Sequence, residues 1–178
     1  MRGAWAATAA ALLVLGGALA GCTRPPAPET APTGAPTYQL PPRTVRPSET
    51  PLAGATTGDD SASVTVLGLR AHQTFLVGTH ADVQARGEFA RLRVAVQNDS
   101  RTFLSFALAD MLLVTADGTA HRPDLQAMAI KRQPETVDLG AQGRIEFDLW
   151  YDLPVGSRLR LLRLATLNLE REIPLPPT

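Results

Sequence analysis

Two stretches of this chain alternate apolar and polar side chains with a period of two, and they limit the fold more than any other feature. The first covers residues 90–97 and the second residues 144–152. The apolar members of the second stretch are Ile145, Phe147, Leu149 and Tyr151. The interleaved members are Glu146, Asp148, Trp150 and Asp152. Successive side chains of a strand point to opposite faces, so this pattern predicts antiparallel strands with one buried face.

Shorter apolar runs separated by turn residues continue the pattern from residue 61 onward. They are Val64–Arg70, Gln73–Val77, Phe103–Ala107, Met111–Thr115, Arg158–Thr166 with a bulge at Leu161-Leu162, and Leu167–Ile173. Asp117-Gly118 is the clearest hairpin turn. Residues 79–87 and 134–143 have loop composition, and residues 126–132 fit either a strand or one helical turn. About seven to nine short strands without a long helical period predict an all-β, immunoglobulin-like antiparallel β-sandwich.

The N-terminal residues combine a positive charge, an apolar run and the chain's lone cysteine. Arg2 precedes the uncharged run 4–18, which has the length of a secretion signal and is short for a membrane-spanning helix. The next four residues, Leu19-Ala20-Gly21-Cys22, resemble the lipobox of bacterial lipoproteins. That resemblance implies cleavage between Gly21 and Cys22 and a diacylglycerol on the Cys22 thiol. The alternative is an ordinary secretion signal, which would leave Cys22 as a free thiol without an intramolecular partner.

Residues 23–60 differ in composition from the rest of the chain. They hold nine of its fifteen prolines, many Thr, Ala, Gly and Ser residues, and few large apolar ones. Proline lacks a backbone donor, and so little apolar surface cannot offset the entropy lost on ordering. We therefore predict a signal peptide over 1–21, a lipidated cysteine and disordered tether over 22–60, and a folded domain over 61–178. A proline-rich ligand for a partner domain is the alternative interpretation of residues 23–60.

Several turns of the predicted domain are similar to those of telokin-like secreted domains. Residues 87–100 look like the strand of that family that runs into an Asn-rich turn, and residues 111–119 are similar to its Asp-Gly hairpin. Residues 139–143 followed by 147–154 resemble a further turn and strand end. This chain departs from the family at Ala141, where proline is usual, and in a longer segment before Pro154. The resemblance implies an exported, often lipid-anchored domain, and it supplies no catalytic residues.

Charge and motif content argue against several classes of protein. Seventeen basic and seventeen acidic side chains cancel, so the balance gives no reason to expect a nucleic-acid partner. The sequence contains no Gly-x-Ser-x-Gly nucleophile motif, and no glycine-rich phosphate loop follows a strand. A Ser/His/Asp combination stays open on composition alone. We predict that the protein is not an enzyme and has no cofactor.

Two sets of polar residues invite a chemical interpretation and also have a simpler one. His72, His80 and Asp82 are metal-ligand types, but three scattered histidines without a cysteine ligand are typical of solvated loops, so we predict no metal site. Glu146 and Asp148 share a strand face, as a carboxylate pair would. Their plausible cross-strand partners are Arg91, Arg93, Arg158 and Arg160. A solvated charge ladder is therefore the prediction for that face.

Trp150 is the side chain that does not fit the alternation. It falls on the polar face, between Asp148 and Asp152. One interpretation is that a loop or a neighbouring strand covers the ring. The other is an exposed aromatic anchor, because tryptophan is enriched at the energetic centres of interfaces. On the second interpretation, Trp150, Asp148 and Asp152 form a partner-binding patch.

Together these features predict where the protein acts better than what it binds. We expect a protein held by lipid on Cys22 at the extracytoplasmic face of the cell membrane, facing the periplasm in a two-membrane cell. It would present a binding or scaffolding module to an unidentified envelope protein. The alternative is an extracytoplasmic carrier of a metal or small ligand. An enzyme is the third hypothesis, and it would need a deep pocket with convergent histidine and carboxylate groups.

Overall fold

The computed structural model of the protein describes residues 46–52, 55–78, 81–165 and 171–176. These residues form eleven strands, one short helix and one 3-10 turn. The strands are β1 (Thr50–Pro51), β2 (Thr56–Gly58), β3 (Ala62–Leu76), β4 (Val83–Asn98), β5 (Leu104–Ala107), β6 (Met111–Thr115), β7 (Ala120–His121), β8 (Thr136–Leu139), β9 (Arg144–Leu153), β10 (Leu159–Leu164) and β11 (Arg171–Pro174). Helix α1 spans Leu125–Ile130, and the 3-10 turn spans Leu108–Asp110. All described strand pairings are antiparallel, which confirms the all-β prediction.

The largest sheet is built around the long strands β3 and β4. Its order is β1-β3-β4-β9, and β2 also pairs with β3. Strands β4 and β9 pair from Glu88 opposite Leu153 to Gln97 opposite Arg144. In this register the apolar residues of both strands share one face. The centre of that face is fully buried, with 0% exposure at Leu92, Val94, Leu149 and Tyr151. The period-two pattern thus predicted both the strands and the face that they bury.

A second sheet, with the order β11-β10-β6-β7, closes the core from the other side, and β5 and β8 form a separate pair. Met111 of β6 and Leu162 of β10 belong to the same buried cluster as the apolar face of β4 and β9. Tyr151 crosses this core, and its hydroxyl donates a hydrogen bond to the Met111 carbonyl at 2.8 Å. Burial raises the pKa of Tyr151, so the phenol keeps the proton that it donates. The sheets therefore form an open, sandwich-like arrangement.

The Asp-Gly turn joins β6 to β7, which confirms the predicted hairpin. Gly118 has a φ of 87°, a left-handed conformation that glycine adopts without strain. The Asp117 carboxylate accepts hydrogen bonds from Thr115 Oγ1 at 2.6 Å, from Thr119 N at 3.1 Å and from Thr119 Oγ1 at 3.0 Å. These bonds, with that from Thr115 as the largest cause, lower the pKa of Asp117 to about 2.

Two short strands lie before the predicted domain boundary at Ser61. Residues 50–51 and 56–58, which composition assigns to the tether, form β1 and β2 and pair with β3. The backbone N–H of Leu52 donates to Leu67, and that of Val66 donates to Ala55. An edge strand tolerates proline because one of its sides needs no donor, so the proline content of this segment did not prevent pairing. Residues 46–49 and 59–60 of the predicted tether are also described, whereas residues 1–45 and 53–54 lie outside the described residues.

Several local predictions differ from the structure. Residues 83–87 extend β4, and residues 136–139 form β8, although both ranges were predicted as loops. Their strand partners lie far away in sequence or across a hairpin, so local composition did not indicate the pairing. The ambiguous stretch 126–132 is largely helical because the Asp124 carboxylate caps the Ala127 N–H at 2.8 Å. The bulge in β10 lies slightly before its predicted position, between Leu159 and Leu161.

Candidate functional site

The outer face of the β4–β9 pair, which points away from the core, carries the charged residues that the alternation placed there. Arg91 lies opposite Trp150, and Arg93 lies opposite Asp148. The predicted solvated ladder is wrong at the centre of this face, because the side chains of Arg91 and Arg93 are only 11% and 7% exposed. Arg158 and Arg160, also considered as partners, belong to the other sheet or its approach. Buried guanidinium groups need a partner of opposite charge, because water no longer solvates them.

Glu49 supplies that partner from outside the predicted domain. Its Oε2 lies 2.7 Å from Arg91 Nη2, its Oε1 lies 2.7 Å from Arg93 Nη2, and its side chain is 0% exposed. The contact between Arg91 Nη2 and Glu49 Oε2 has the geometry of a hydrogen bond. The contact between Arg93 Nη2 and Glu49 Oε1 is an ion pair without hydrogen-bond geometry. A Cβ on Gly68 would meet the Glu49 side chain at 2.3 Å, so only glycine leaves room for it. We refer to Arg91 and Arg93 as the arginine cradle.

A second ion pair fixes the same segment, which we call the strap (described residues 46–52 and 55–58). Arg46 Nη1 donates to both carboxylate oxygens of Asp148, at 2.9 and 2.7 Å. Between Arg46 and Glu49 the chain turns back on itself, with Ser48 at a φ of 61° and a hydrogen bond from Glu49 N to Arg46 O. The turn therefore directs two side chains of opposite charge onto neighbouring positions of the outer face.

Trp150 is covered, as the first interpretation of this residue predicted. Its side chain packs edge-on against Phe89, with ring centroids 6.3 Å apart. The Arg91 guanidinium lies 6.0 Å and Lys131 Nζ 5.5 Å from the centroid of the indole ring. The residue is 5% exposed, so Trp150 is not an exposed anchor in the described structure. The indole N–H has no hydrogen-bond partner.

The carboxylates on either side of Trp150 are engaged within the chain. Asp148 binds Arg46. Asp152 is nearly buried and accepts hydrogen bonds from the backbone N–H groups of Arg86 at 2.9 Å and Gly87 at 3.1 Å. The proposed patch of Trp150, Asp148 and Asp152 is therefore corrected: these side chains bind other parts of the fold, because the strap and the neighbouring strand cover that face.

The candidate metal residues are not brought together by the described structure. His72 Nδ1 lies 2.9 Å from Glu88 Oε1, and the same oxygen accepts a hydrogen bond from Gly156 N at 2.9 Å. His72 has a φ of 56° at the irregular part of β3. His80 lies outside the described residues. Within the described ranges, no group of three or more His, Cys, Asp or Glu side chains is arranged to hold a metal ion.

Several grooves open on the surface of the described unit, and three of them lie beside the strap or carry an apolar lining. Two of them, of about 450 and 440 Å³, adjoin where the strap meets the C-terminal residues, and both are lined by Thr50 and Pro176. The first of these also contains His72. The third, of about 270 Å³, lies between the 3-10 turn and α1. Its apolar lining is Leu108, Ala109, Pro123, Leu125, Met128 and Pro134.

Comparison with known proteins supports the fold and gives no function. No family model matches the chain, and no curated protein matches it. A solved conserved hypothetical protein from Bacillus anthracis is similar in structure, with a TM-score of 0.53 and 12% identity, over 72% of this chain and 96% of that one. The yjhA protein from Bacillus subtilis has a TM-score of 0.47 and 17% identity, over 67% of this chain and 87% of that one. At such identity the first similarity shows the fold alone.

The predicted lipidation site cannot be placed in this structure. Cys22 and the cleavage position at Gly21 lie outside the described residues. None of the helical segments in the described ranges is long and apolar enough to cross a membrane. The lipid anchor therefore stays a prediction from sequence.

Sequence reasoning missed Glu49 and Arg46, although it found the residues that they bind. Both lie in a proline-rich segment whose composition is typical of disorder. The available signal was the number of large side chains on one face, because β4 places two arginines there, next to a tryptophan. A large ring and two arginines on an outer face indicate that another segment covers it.

Proposed function

We propose that the protein is a lipid-anchored envelope protein that presents an immunoglobulin-like β-sandwich as a non-catalytic binding or scaffolding module. The observation that carries this proposal is the sequence Leu19-Ala20-Gly21-Cys22 behind an uncharged apolar run. The antiparallel, sandwich-like sheets and the engagement of Trp150, Asp148 and Asp152 within the fold support the structural part of the proposal. We place the module on the extracytoplasmic side of the cell membrane.

The strap defines the junction between anchor and module in this proposal. Arg46 is bound to Asp148, so in this proposal the free tether ends before Arg46 and comprises the 24 residues from Cys22 to residue 45. At about 3.1 Å per residue, an extended proline-rich segment of this length reaches roughly 75 Å. Ion pairs from Arg46 and Glu49 would hold the end of the tether against the central sheet. The module would then leave the tether from a fixed point on its surface.

Lipidation is tested by the mass of the N-terminal peptide in membranes of the producing cell. We expect Cys22 to be the first residue and to carry a diacylglycerol, and the Cys22→Ser variant to lose both cleavage at this position and sedimentation with membranes. Ser100→Ala is the matched control, because it changes a turn residue and leaves the lipobox intact. This variant should fractionate as the unaltered protein does. An unmodified Cys22 in the membrane fraction, or release of the unaltered protein into the medium, would refute the anchor.

A small-ligand carrier is the second candidate, and the groove beside the strap favours it. At about 450 Å³ that groove has the volume typical of a ligand site, and it contains His72. Trp150 is the single tryptophan once residues 1–21 are removed, because the other is Trp5. The fluorescence of Trp150 can therefore be followed while divalent metals are titrated into a Cys22→Ser chain without residues 1–21. His72→Ala is the matched variant. Saturable binding that His72→Ala abolishes would favour the carrier. If no saturable binding is measured, the scaffolding module is the favoured function.

A further inference from the structure

The strap is held by few contacts, and one side chain dominates them. Of its described residues, only Glu49 is buried. Strand β1 contributes two residues and β2 three, both at the edge of the sheet. Leu52 and Ala55 pack against the core while only partly buried, and Arg46 forms an ion pair with Asp148. A segment that buries so little apolar surface opens locally at a lower free energy than the core strands do.

Every group that the strap binds lies on the body of the domain and not on the strap itself. The cradle is in β4, Asp148 is in β9, and both β1 and β2 pair with β3. The strap connects to this body through one exposed turn at Asp59, Asp60 and Ser61. Because the binding groups belong to the body, a second copy of the chain offers the same set at the same geometry.

Opening the strap would leave the arginine cradle without its carboxylate. Arg91 and Arg93 carry two positive charges next to each other on one strand face. Among the described residues only Glu49 reaches both, and Glu146 lies 4.0 Å from Arg93 alone. The Nε groups of both arginines are already without a hydrogen-bond partner. An unpaired cradle therefore favours return of a carboxylate on an extended segment that fits over Gly68. The strap of this chain supplies such a carboxylate and fits over Gly68.

We propose that two copies of the protein exchange straps, so that Glu49 of each copy enters the arginine cradle of the other. Exchange restores the contacts between a strap and a body but gives up hydrogen bonds within the turn at residues 59–61, so its net free energy is set mainly by that turn and by concentration. In the exchanged form this turn is extended. The β2 and β3 strands of one chain then run in the same direction, and each β2 pairs with the β3 of the other copy. The exchanged contacts all lie between described residues, and none of them involves lipid at Cys22.

Paired cysteines across β2 and β3 test the exchange. Thr56 lies opposite Thr65, and their Oγ1 atoms are 3.0 Å apart. We use the Cys22→Ser chain without residues 1–21, with Thr56→Cys in one sample and Thr65→Cys in another. After mixing at high concentration and oxidation, we expect a disulfide-linked heterodimer on a non-reducing gel. Gln97→Cys mixed with Arg144→Cys is the matched control, because β4 and β9 pair inside the body and should give none above background.

The double variant Thr56→Cys/Thr65→Cys shows whether these thiols can pair at all. An intramolecular disulfide in this variant, together with no heterodimer above the control in the mixed sample, would overturn the exchange. Charge reversal provides a measurement that needs no thiol. Glu49→Arg and the double variant Arg91→Glu/Arg93→Glu each place like charges in the closed strap site, and mixing them should give a heterodimer by size-exclusion chromatography. Elution of the mixture as two monomers would also count against the proposal.

Discussion

Both faces of the β4–β9 pair hold buried side chains at their centre, but for different reasons. The core face is covered by the second sheet and holds apolar side chains such as Leu92, Val94 and Leu149. The outer face holds Arg91, Arg93 and Trp150, and the strap closes over its arginines with a single carboxylate. Alternation of residue types thus identifies the apolar face that forms the core, but it does not tell whether the polar face meets water.

The difference has an energetic consequence. Burial of the core face stabilises the fold roughly in proportion to its apolar area. On the outer face, desolvation of Arg91, Arg93 and Glu49 offsets most of their mutual attraction, so the ion pairs give little net stability while the loss of one partner is expensive. The core face should therefore respond to the size of a side chain, and the outer face to the completeness of its charge pairing.

The largest effect is expected from Trp150→Ala, which tests whether the outer face is a true interior. Removing a nearly buried indole that packs on Phe89 should lower the free energy of unfolding by about 3–5 kcal/mol. Leu149→Ala, its neighbour on the core face, should lower it by a similar amount, about 2–5 kcal/mol. Both are measured by denaturant unfolding of the Cys22→Ser chain without residues 1–21. A Trp150→Ala change below about 1 kcal/mol would mean that the ring contributes as a surface residue does.

Glu49→Gln should have the next largest effect, because it removes the only described carboxylate that contacts Arg91 and leaves Arg93 with only the longer contact to Glu146, at 4.0 Å. We expect a loss of about 2–3 kcal/mol, somewhat less than for a fully enclosed pair, because the strap can swing away and admit water. Glu172→Gln is the matched control, since Glu172 pairs with Arg163 on the surface and should change stability by about 0–1 kcal/mol. Equal effects of the two substitutions would show that the cradle is solvated.

Gly68→Ala perturbs the same site without changing its charge. A Cβ at this position would displace the Glu49 side chain, so the variant should lose stability in the same direction as Glu49→Gln. The two changes should be strongly non-additive when combined, because each disrupts the same contact. Additive losses in a double-mutant cycle measured by denaturant unfolding would separate Gly68 from the cradle.

Tyr151→Phe makes a smaller change on the core face. It removes one hydroxyl and leaves the Met111 carbonyl buried without its donor, which should lower the free energy of unfolding by about 1–2 kcal/mol. Shape is nearly conserved, so the near-UV circular dichroism of the folded state should not change its overall form. Retained stability would mean that the carbonyl finds another partner.

The smallest effect is expected from pH at the hairpin turn, away from both faces. The folded pKa of Asp117 is about 2, below its ordinary value of 3.8, so its contribution to stability is present above the higher value and is lost as pH falls through the lower one. NMR titration of the carboxyl carbon should give a midpoint near the lower value, and Asp117→Asn should flatten this part of the stability profile. The pKa of Asp59 is also lowered, and the hydrogen bond from the Ser61 side chain is the largest cause.

Residue patterns were sufficient where neighbours along the chain set the structure. The strands 90–97 and 144–152 and the Asp117-Gly118 turn were predicted because side-chain alternation and turn chemistry are local properties. They were insufficient where pairing depended on distant segments, as for β8 and for the extension of β4 at residues 83–87. The candidate patch failed for the same reason, since nothing near Trp150 in sequence indicates what covers it.

The sequence by itself determined that this is an all-strand domain and which side of β4 and β9 forms its core, because a period of two assigns faces directly. The tertiary structure alone decided that a proline-rich segment belongs to the fold. That segment has too little apolar surface to order on its own, and it is held because Arg46 and Glu49 meet charges that only the assembled sheet brings together.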